Sequence, residues 1–333
     1  MVRLVCCASD TLRLNRQSNF TRELSSPLDA LNLPLATTAH SLQPENPDSS
    51  RKGVAIPPES APDAVHELDE NPRYRILPDF HSRFLPDDRN VLVYLPEAYF
   101  TAPHRRFPVF YLHDGQNLFD PRTSYLPGNT WQAHTTTDRL TREGRIEPVI
   151  LIGIANTGVR RMNEYTPTRD SRRAASMAGG EGYLYGKLLV EDLKSIIDRT
   201  FRTLTGPADT ALGGSSLGAL ISLALGLEYP CVFGKLALMS PSVWWDRRSI
   251  LRLVGEAKPR PHLRIWMDMG TAEGLRHLRD ADLLHSRLIA QGWREVGPQP
   301  DLRYLRVPGG LHSEPAWAER FDKVLEFLFP SKP

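Results

Sequence analysis

Cysteine is scarce in this chain: 333 residues hold three, Cys6, Cys7 and Cys231. Two adjacent thiols and a distant one make no disulfide framework and match no common zinc spacing. A reducing compartment is therefore expected. Long apolar runs are missing too. No stretch approaches the ~20 residues of a membrane span. The opening Met1-Val2-Arg3-Leu4-Val5-Cys6-Cys7 is too short a run for a secretory signal and gives way to polar residues. A cytoplasmic protein without a membrane partner is expected. Excess charge is absent as well. Lysine and arginine number 41 against 39 aspartates and glutamates, a net +2, so there is no global electrostatic case for nucleic acid. No internal repeat is visible, which excludes solenoids and propellers.

What is present reads as one large α/β domain with a tail, since 41% of residues are hydrophobic and 24% charged. Residues 1–70 look like an extension. The stretch Gln43-Pro44-Glu45-Asn46-Pro47-Asp48-Ser49-Ser50 and the prolines at 57, 58 and 62 cannot build a core. The expectation is a largely disordered segment, with a short helix among the leucines of residues 10–35. From Arg73 the pattern changes. Strands are predicted at 73–77, 90–95, 108–112, 148–154, 210–212, 236–239, 263–267 and 302–307. Helical patterns fall between the later ones, at 130–142, 184–201, 217–228, 279–291 and 316–329. Such alternation predicts a mostly parallel sheet with helices on both faces. The first two strands, close in sequence, are expected to pair antiparallel at one edge.

The sharpest local signal is Gly214-Ser215-Ser216-Leu217-Gly218, lying between a short apolar run and a strong helix former. A G-x-S-x-G turn at a strand-to-helix junction lifts its serine out of the sheet, where a base can reach it. Ser216 is thus the candidate nucleophile. A serine hydroxyl also needs a base, an acid to orient that base, and donors for the oxyanion. In α/β-hydrolases the order along the chain is serine, acid, histidine. His312, in Pro308-Gly309-Gly310-Leu311-His312, follows the last predicted strand and precedes the terminal helix, which makes it the candidate base. For the acid, Glu273 is favoured, because it stands further out beyond its strand; Asp268 at the strand end is the alternative, and Glu314 stands too near His312 in sequence to orient its ring easily. The oxyanion donors are expected at Leu217, just after the nucleophile, and in His113-Asp114-Gly115-Gln116-Asn117. There Gly115 permits close approach and Gln116 presents the N–H. Trp244 and Trp245 are expected to wall the acyl or alcohol pocket, against a plain loop-covering role. Arg160 and Arg161, continued by Arg169, Arg172 and Arg173, are candidates to hold an anionic or polyphenolic substrate, against a solvated charge run.

Together the Tyr111–Asp120 stretch, the Gly-Gly-Ser-Ser216-Leu-Gly elbow, Ser240-Pro241-Ser242-Val243-Trp244-Trp245, Gly270-Thr271-Ala272-Glu273 and Pro308–His312 resemble an esterase family. That family includes esterase D, feruloyl esterases, enterochelin esterases and mycolyl transferases. The resemblance runs from about Arg73 to the C-terminus. It implies an α/β-hydrolase fold over residues 71–333, no cofactor, Ser216 and His312 in triad roles, and an acid in a Gly-Thr-x-Asp/Glu loop, which maps onto Glu273. The chain has Gly-Leu-His where many members have Gly-Gly-His or Gly-His. The function so implied is serine carboxylic-ester hydrolysis of a small-molecule ester such as a siderophore or feruloyl ester. Acyl transfer to a sugar or alcohol with the same triad is the alternative. An inactive binding module on the same scaffold is the alternative of another class.

Overall fold

The computed structural model describes residues 71–331; the extension expected over residues 1–70 lies outside them. Eight strands form one sheet: β1 (Tyr74–Phe80), β2 (Arg89–Tyr94), β3 (Val109–His113), β4 (Ile150–Ile154), β5 (Thr210–Ser215), β6 (Lys235–Met239), β7 (Arg264–Gly270) and β8 (Leu302–Val307). Their order across the sheet is β1-β2-β4-β3-β5-β6-β7-β8. β1 and β2 pair antiparallel, β2 runs antiparallel to β4, and all other pairings are parallel. The expected antiparallel edge is therefore present. β1 also holds Pro78, which an edge strand tolerates because one row of its amides needs no partner; its register slips between Leu77 and Phe80.

β3, β4 and β5 are buried along their whole length, as expected of parallel strands covered on both faces. Alternation splits their side chains between two cores. Val109, Tyr111, Ile150, Ile152 and Leu212 point into one, while Phe110, Leu112, Leu151 and Ala211 point into the other. The longer helices are α1 (Ala133–Arg142), α2, α3 (Leu217–Glu228), α4 (Ser249–Glu256), α5 (Leu275–Ala290) and α6 (Glu314–Leu328). α2 is one rod in three parts: Gly182–Lys187, a π-helical middle Leu188–Leu193, and Lys194–Thr200. α2 to α5 cover the first core; α1 and α6 cover the second. α3 is apolar nearly all round, and nine of its twelve residues are buried, which marks it as a core helix.

Several element ends differ from the sequence reading by a few residues, and two differences bear on the site and its surroundings. α4 was not expected, because two turns give too few repeats for a helical period to show. β7 runs on to Gly270, past the expected end at Met267, so Asp268 stands inside a strand. Among the described residues no helix is long and apolar enough to cross a membrane.

Candidate active site

The loops that follow β3, β5, β6, β7 and β8 all leave the carboxyl edge of the parallel sheet, where open α/β sheets bind ligands. Ser216 sits at the turn from β5 into α3 with φ 58° and ψ −120°. A non-glycine residue in such a conformation costs roughly 1–3 kcal/mol and must be held by its surroundings. The Ser216 amide donates to the Met239 carbonyl at 3.0 Å, and the Ser216 carbonyl accepts from the Ser242 amide at 3.1 Å. Gly218 permits the tight turn, since a Cβ there would lie 3.1 Å from the Cβ of His113. The Ser216 hydroxyl is hydrogen-bonded to Ser242 Oγ at 3.2 Å, not to His312.

His312 and Glu273 meet across the β7 and β8 loops. His312 Nδ1 lies 2.6 Å from Glu273 Oε2. The loops are laced together by Thr271 N to Val307 O, Ala272 N to Gly310 O, and Gly309 N to Thr271 Oγ1. The Glu273 side chain is 2% exposed and that of His312 46%, so the acid is shielded while the base faces the open side. Glu273 Oε1 accepts from the Gly270 amide at 2.9 Å and from Ser240 Oγ at 2.6 Å. Burial alone would raise this carboxyl, but the hydrogen bonds from His312, Ser240 and Gly270 outweigh it and hold the pKa below the usual value. An ionised Glu273 only accepts, so Nδ1 carries the proton and Nε2 is left as the acceptor. Trp317 packs edge-to-face on the His312 ring, centroids 4.9 Å apart, and fixes its plane.

Asp268, the alternative acid, faces elsewhere. The two-residue period of β7 places Trp266 and Asp268 on the α6 side. There Asp268 is fully buried, accepting from Arg320 Nε at 2.9 Å and from Trp266 Nε1 at 2.8 Å. Its pKa is raised by burial even against the attraction of Arg320. Glu314 accepts from Asn117 Nδ2 at 3.3 Å. Of the three carboxylates, only Glu273 contacts His312.

The β3 loop begins with Asp114 at φ 56° and continues into the single turn Gly115–Asn117. Gly115 lies against β4 so closely that a Cβ would meet the Gly153 carbonyl carbon at 2.5 Å. The amides of Gln116 and Leu217 each open a helical turn and donate no hydrogen bond among the described residues, the condition for an anion site at helix N-termini. The Gln116 side chain accepts from the Asn156 amide at 3.2 Å and so braces the loop.

Arg160 and Arg161, the expected substrate arginines, are both engaged within the protein. Arg161 grips Asp114 with two hydrogen bonds of 2.7 Å, and Arg160 pairs with Asp87 and Glu181. The Asp114 carboxyl, which burial would raise, is held low by Arg161 and Asn156. Trp245 is a core residue, fully buried, with Nε1 donating to the Thr168 carbonyl at 2.9 Å. Trp244 is half-buried and lines a cavity of about 550 Å³. His113, directly before the loop, is buried with Nδ1 2.9 Å from Tyr185 OH, and burial pulls its pKa down to about 3. Among the described residues no group of three His, Cys, Asp or Glu side chains is placed to hold a metal.

The sequence reading missed Ser240, Trp317 and Arg320, the residues behind Glu273. Only Ser240 left a trace, in the Ser240-Pro241-Ser242 run after β6.

A strained serine on a strand-to-helix turn, with a His–Glu pair on the neighbouring loops of a mostly parallel sheet, defines an α/β-hydrolase. Solved structures share that fold. An IroE-like serine hydrolase from Shewanella oneidensis superposes with a TM-score of 0.62 at 21% identity, covering 77% of this chain and 80% of that one. The siderophore hydrolase EstA from Aspergillus nidulans gives 0.59 at 20% identity, covering 80% and 98%. Among sequences, the uncharacterized protein YbbA of Bacillus subtilis (strain 168) is 28% identical over 255 residues, 73% of this chain and 93% of YbbA. Residues 82–328 match the model of the esterase family described as "Putative esterase". The chain belongs to that family and is an esterase.

Proposed function

We propose that the chain is a serine carboxylic-ester hydrolase with Ser216 as nucleophile, His312 as general base and acid, and Glu273 as the orienting carboxylate. The observation that carries this is the 2.6 Å contact between His312 Nδ1 and Glu273, on loops at the same carboxyl edge of the sheet as a serine held at φ 58°. When an ester is seated, the Ser216 hydroxyl exchanges Ser242 for His312 Nε2 and gives up its proton as Oγ attacks the carbonyl carbon. The oxyanion is held by the Gln116 and Leu217 amides, free donors that need no reorganisation as charge develops. Collapse expels the alcohol, protonated by the imidazolium. Water, deprotonated by His312, then attacks the acyl-enzyme and releases the acid. Glu273 stays ionised and stabilises the imidazolium in both halves.

For substrate, we infer a polar or aromatic ester of the siderophore or feruloyl kind. The support is the likeness to a protein named as a siderophore hydrolase and the arginine-lined cavity that Trp244 and Arg276 border. The test is hydrolysis of 4-nitrophenyl butyrate by the wild type beside Ser216→Ala. We expect turnover in the wild type and a loss of kcat of about 10³-fold or more in the variant. Turnover that survives in Ser216→Ala removes Ser216 from the mechanism.

A further inference from the structure

The cavity of about 550 Å³ has a lining dominated by guanidiniums: Arg172, Arg173, Arg247, Arg248 and Arg276 face only two carboxylates, Asp170 and Asp280. The compensation is partial. Asp170 is shared by Arg172 at 2.7 Å and Arg173 at 3.5 Å, and Asp280 takes Arg248 at 2.7 Å. Arg247 and Arg276 have no ion-pair or hydrogen-bond partner among the described residues. Two buried polar atoms of the lining also make no hydrogen bond: the acceptor Asp280 Oδ2, and the donor Arg173 Nε, whose one contact is the long 3.5 Å ion pair to Asp170. Unpaired buried groups are uncommon in native structures unless a ligand or ordered water completes them.

The backbone is bent to hold this arrangement. Asp246, Arg247 and Arg248 are three successive non-glycine residues at φ 40°, 55° and 63°. Strain of this kind persists only where neighbours over-determine it, and it gathers at ligand sites. Here Trp245 on one side and Ser249 on the other both bond to Thr168, through its carbonyl at 2.9 Å and its hydroxyl at 2.9 Å. Two of its lining residues stand close in sequence to the proposed catalytic groups. Trp244 follows Ser242, whose Oγ touches Ser216 Oγ, by two residues, and Arg276 follows Glu273 by three.

We infer that this cavity is a substrate site for the anionic part of the ester, a portion bearing at least two negative charges and a hydroxyl or amide donor, with Arg247 and Arg276 as its two free cations. The donor would satisfy Asp280 Oδ2, and an anionic oxygen would accept from Arg173 Nε. The inference deepens the esterase reading and rests on it for the word substrate; the anion site itself does not.

Two ester pairs test it and separate the two sides of the ester. Mono-4-nitrophenyl glutarate against 4-nitrophenyl butyrate places the charge in the acid; 5-acetoxyisophthalate against phenyl acetate places it in the alcohol. In one pair the wild type is expected to prefer the anionic ester, and Arg247→Ala/Arg276→Ala to cut that kcat/KM ratio about tenfold or more. Added salt is expected to shrink the wild-type preference, because an open cleft is screened. A misfolded variant loses both esters of a pair and leaves the ratio to be read from the single variants. An unchanged ratio in both pairs overturns the substrate role. Calorimetric titration with benzene-1,3,5-tricarboxylate is independent of turnover. If the wild type hydrolyses nothing but binds this anion about tenfold more tightly than the double variant, the esterase reading fails while the site stands. Equal or absent binding in both proteins overturns the site.

Discussion

Ser240 joins more of the site than its place in the sequence suggests. Held at φ 46°, its hydroxyl donates to Glu273 and receives donors from Trp317 at 3.0 Å and Arg320 at 2.7 Å. The acid is thereby fixed from behind while His312 meets its other oxygen. Glu273→Gln keeps the shape but changes the acceptor, so it should favour the wrong histidine tautomer. We expect kcat on 4-nitrophenyl butyrate to fall about 10³–10⁴-fold with KM little changed; a kcat near wild type would mean that Glu273 does not orient the base. His113 makes a second, thermodynamic prediction. Its pKa is about 3 in the folded protein and about 6.5 in an unfolded chain. Between those values the unfolded state binds a proton that the folded state does not. Stability should therefore rise with pH across that window, by up to roughly 1.4 kcal/mol per pH unit from this group, and be flat with respect to it above. Urea unfolding near about pH 5 and about pH 7 should show a shallower pH dependence for His113→Gln than for the wild type. Equal slopes would mean that His113 is not the group responsible. At this scale the elbow serine and the loop histidine were legible, because each follows a strand at a diagnostic place in chain order. Trp317, Arg320 and Ser240 were not, because they touch the site only through the packing of α6 against the sheet.

At the scale of elements, the β3 loop and β4 meet closely beside Gln116, one of the proposed oxyanion donors. Gly115→Ala would push a Cβ to 2.5 Å from the Gly153 backbone, and the loop holding Gln116 must give way. The expected result is a fall in kcat of about 10²–10³-fold, the size of one lost oxyanion donor, in a protein whose circular dichroism is unchanged. Full turnover would place the second donor elsewhere. Most elements were readable, because buried parallel strands are short apolar runs and surface helices keep a 3.6-residue period. β8 was read residue for residue at Leu302–Val307. α4 escaped because Ser249–Glu256 is only two turns long. The π-helical middle of α2 escaped because one wide turn shifts the apolar pattern by about a residue and leaves the run helical in appearance. Trp244 and Trp245 show the limit of position along the chain. They adjoin, yet their turn sends one into the core and leaves the other on the cavity.

For the molecule as a whole, the site is built where two cores meet. α3, in the first core, carries the elbow; α6, in the second, follows His312 and sends Arg320 through to Asp268 and Ser240. Both Arg320 and Asp268 are essentially out of solvent. A buried pair of this kind is weak support for stability in itself, but breaking it on one side strands a charge. Arg320→Met should thus lower stability by about 3–5 kcal/mol and also lower kcat, since Ser240 loses a donor. Adding Asp268→Leu removes the stranded carboxylate, and the double variant should regain at least part of the stability, the remainder reflecting the acceptor lost to Trp266. The kcat should stay low, because Ser240 still lacks Arg320. Urea midpoints and kcat measured on both variants separate the two roles. If kcat returns together with stability, Arg320 serves the active site only by holding the fold; if stability returns alone, the pair is kept for the geometry it imposes on Ser240 and, through it, on Glu273.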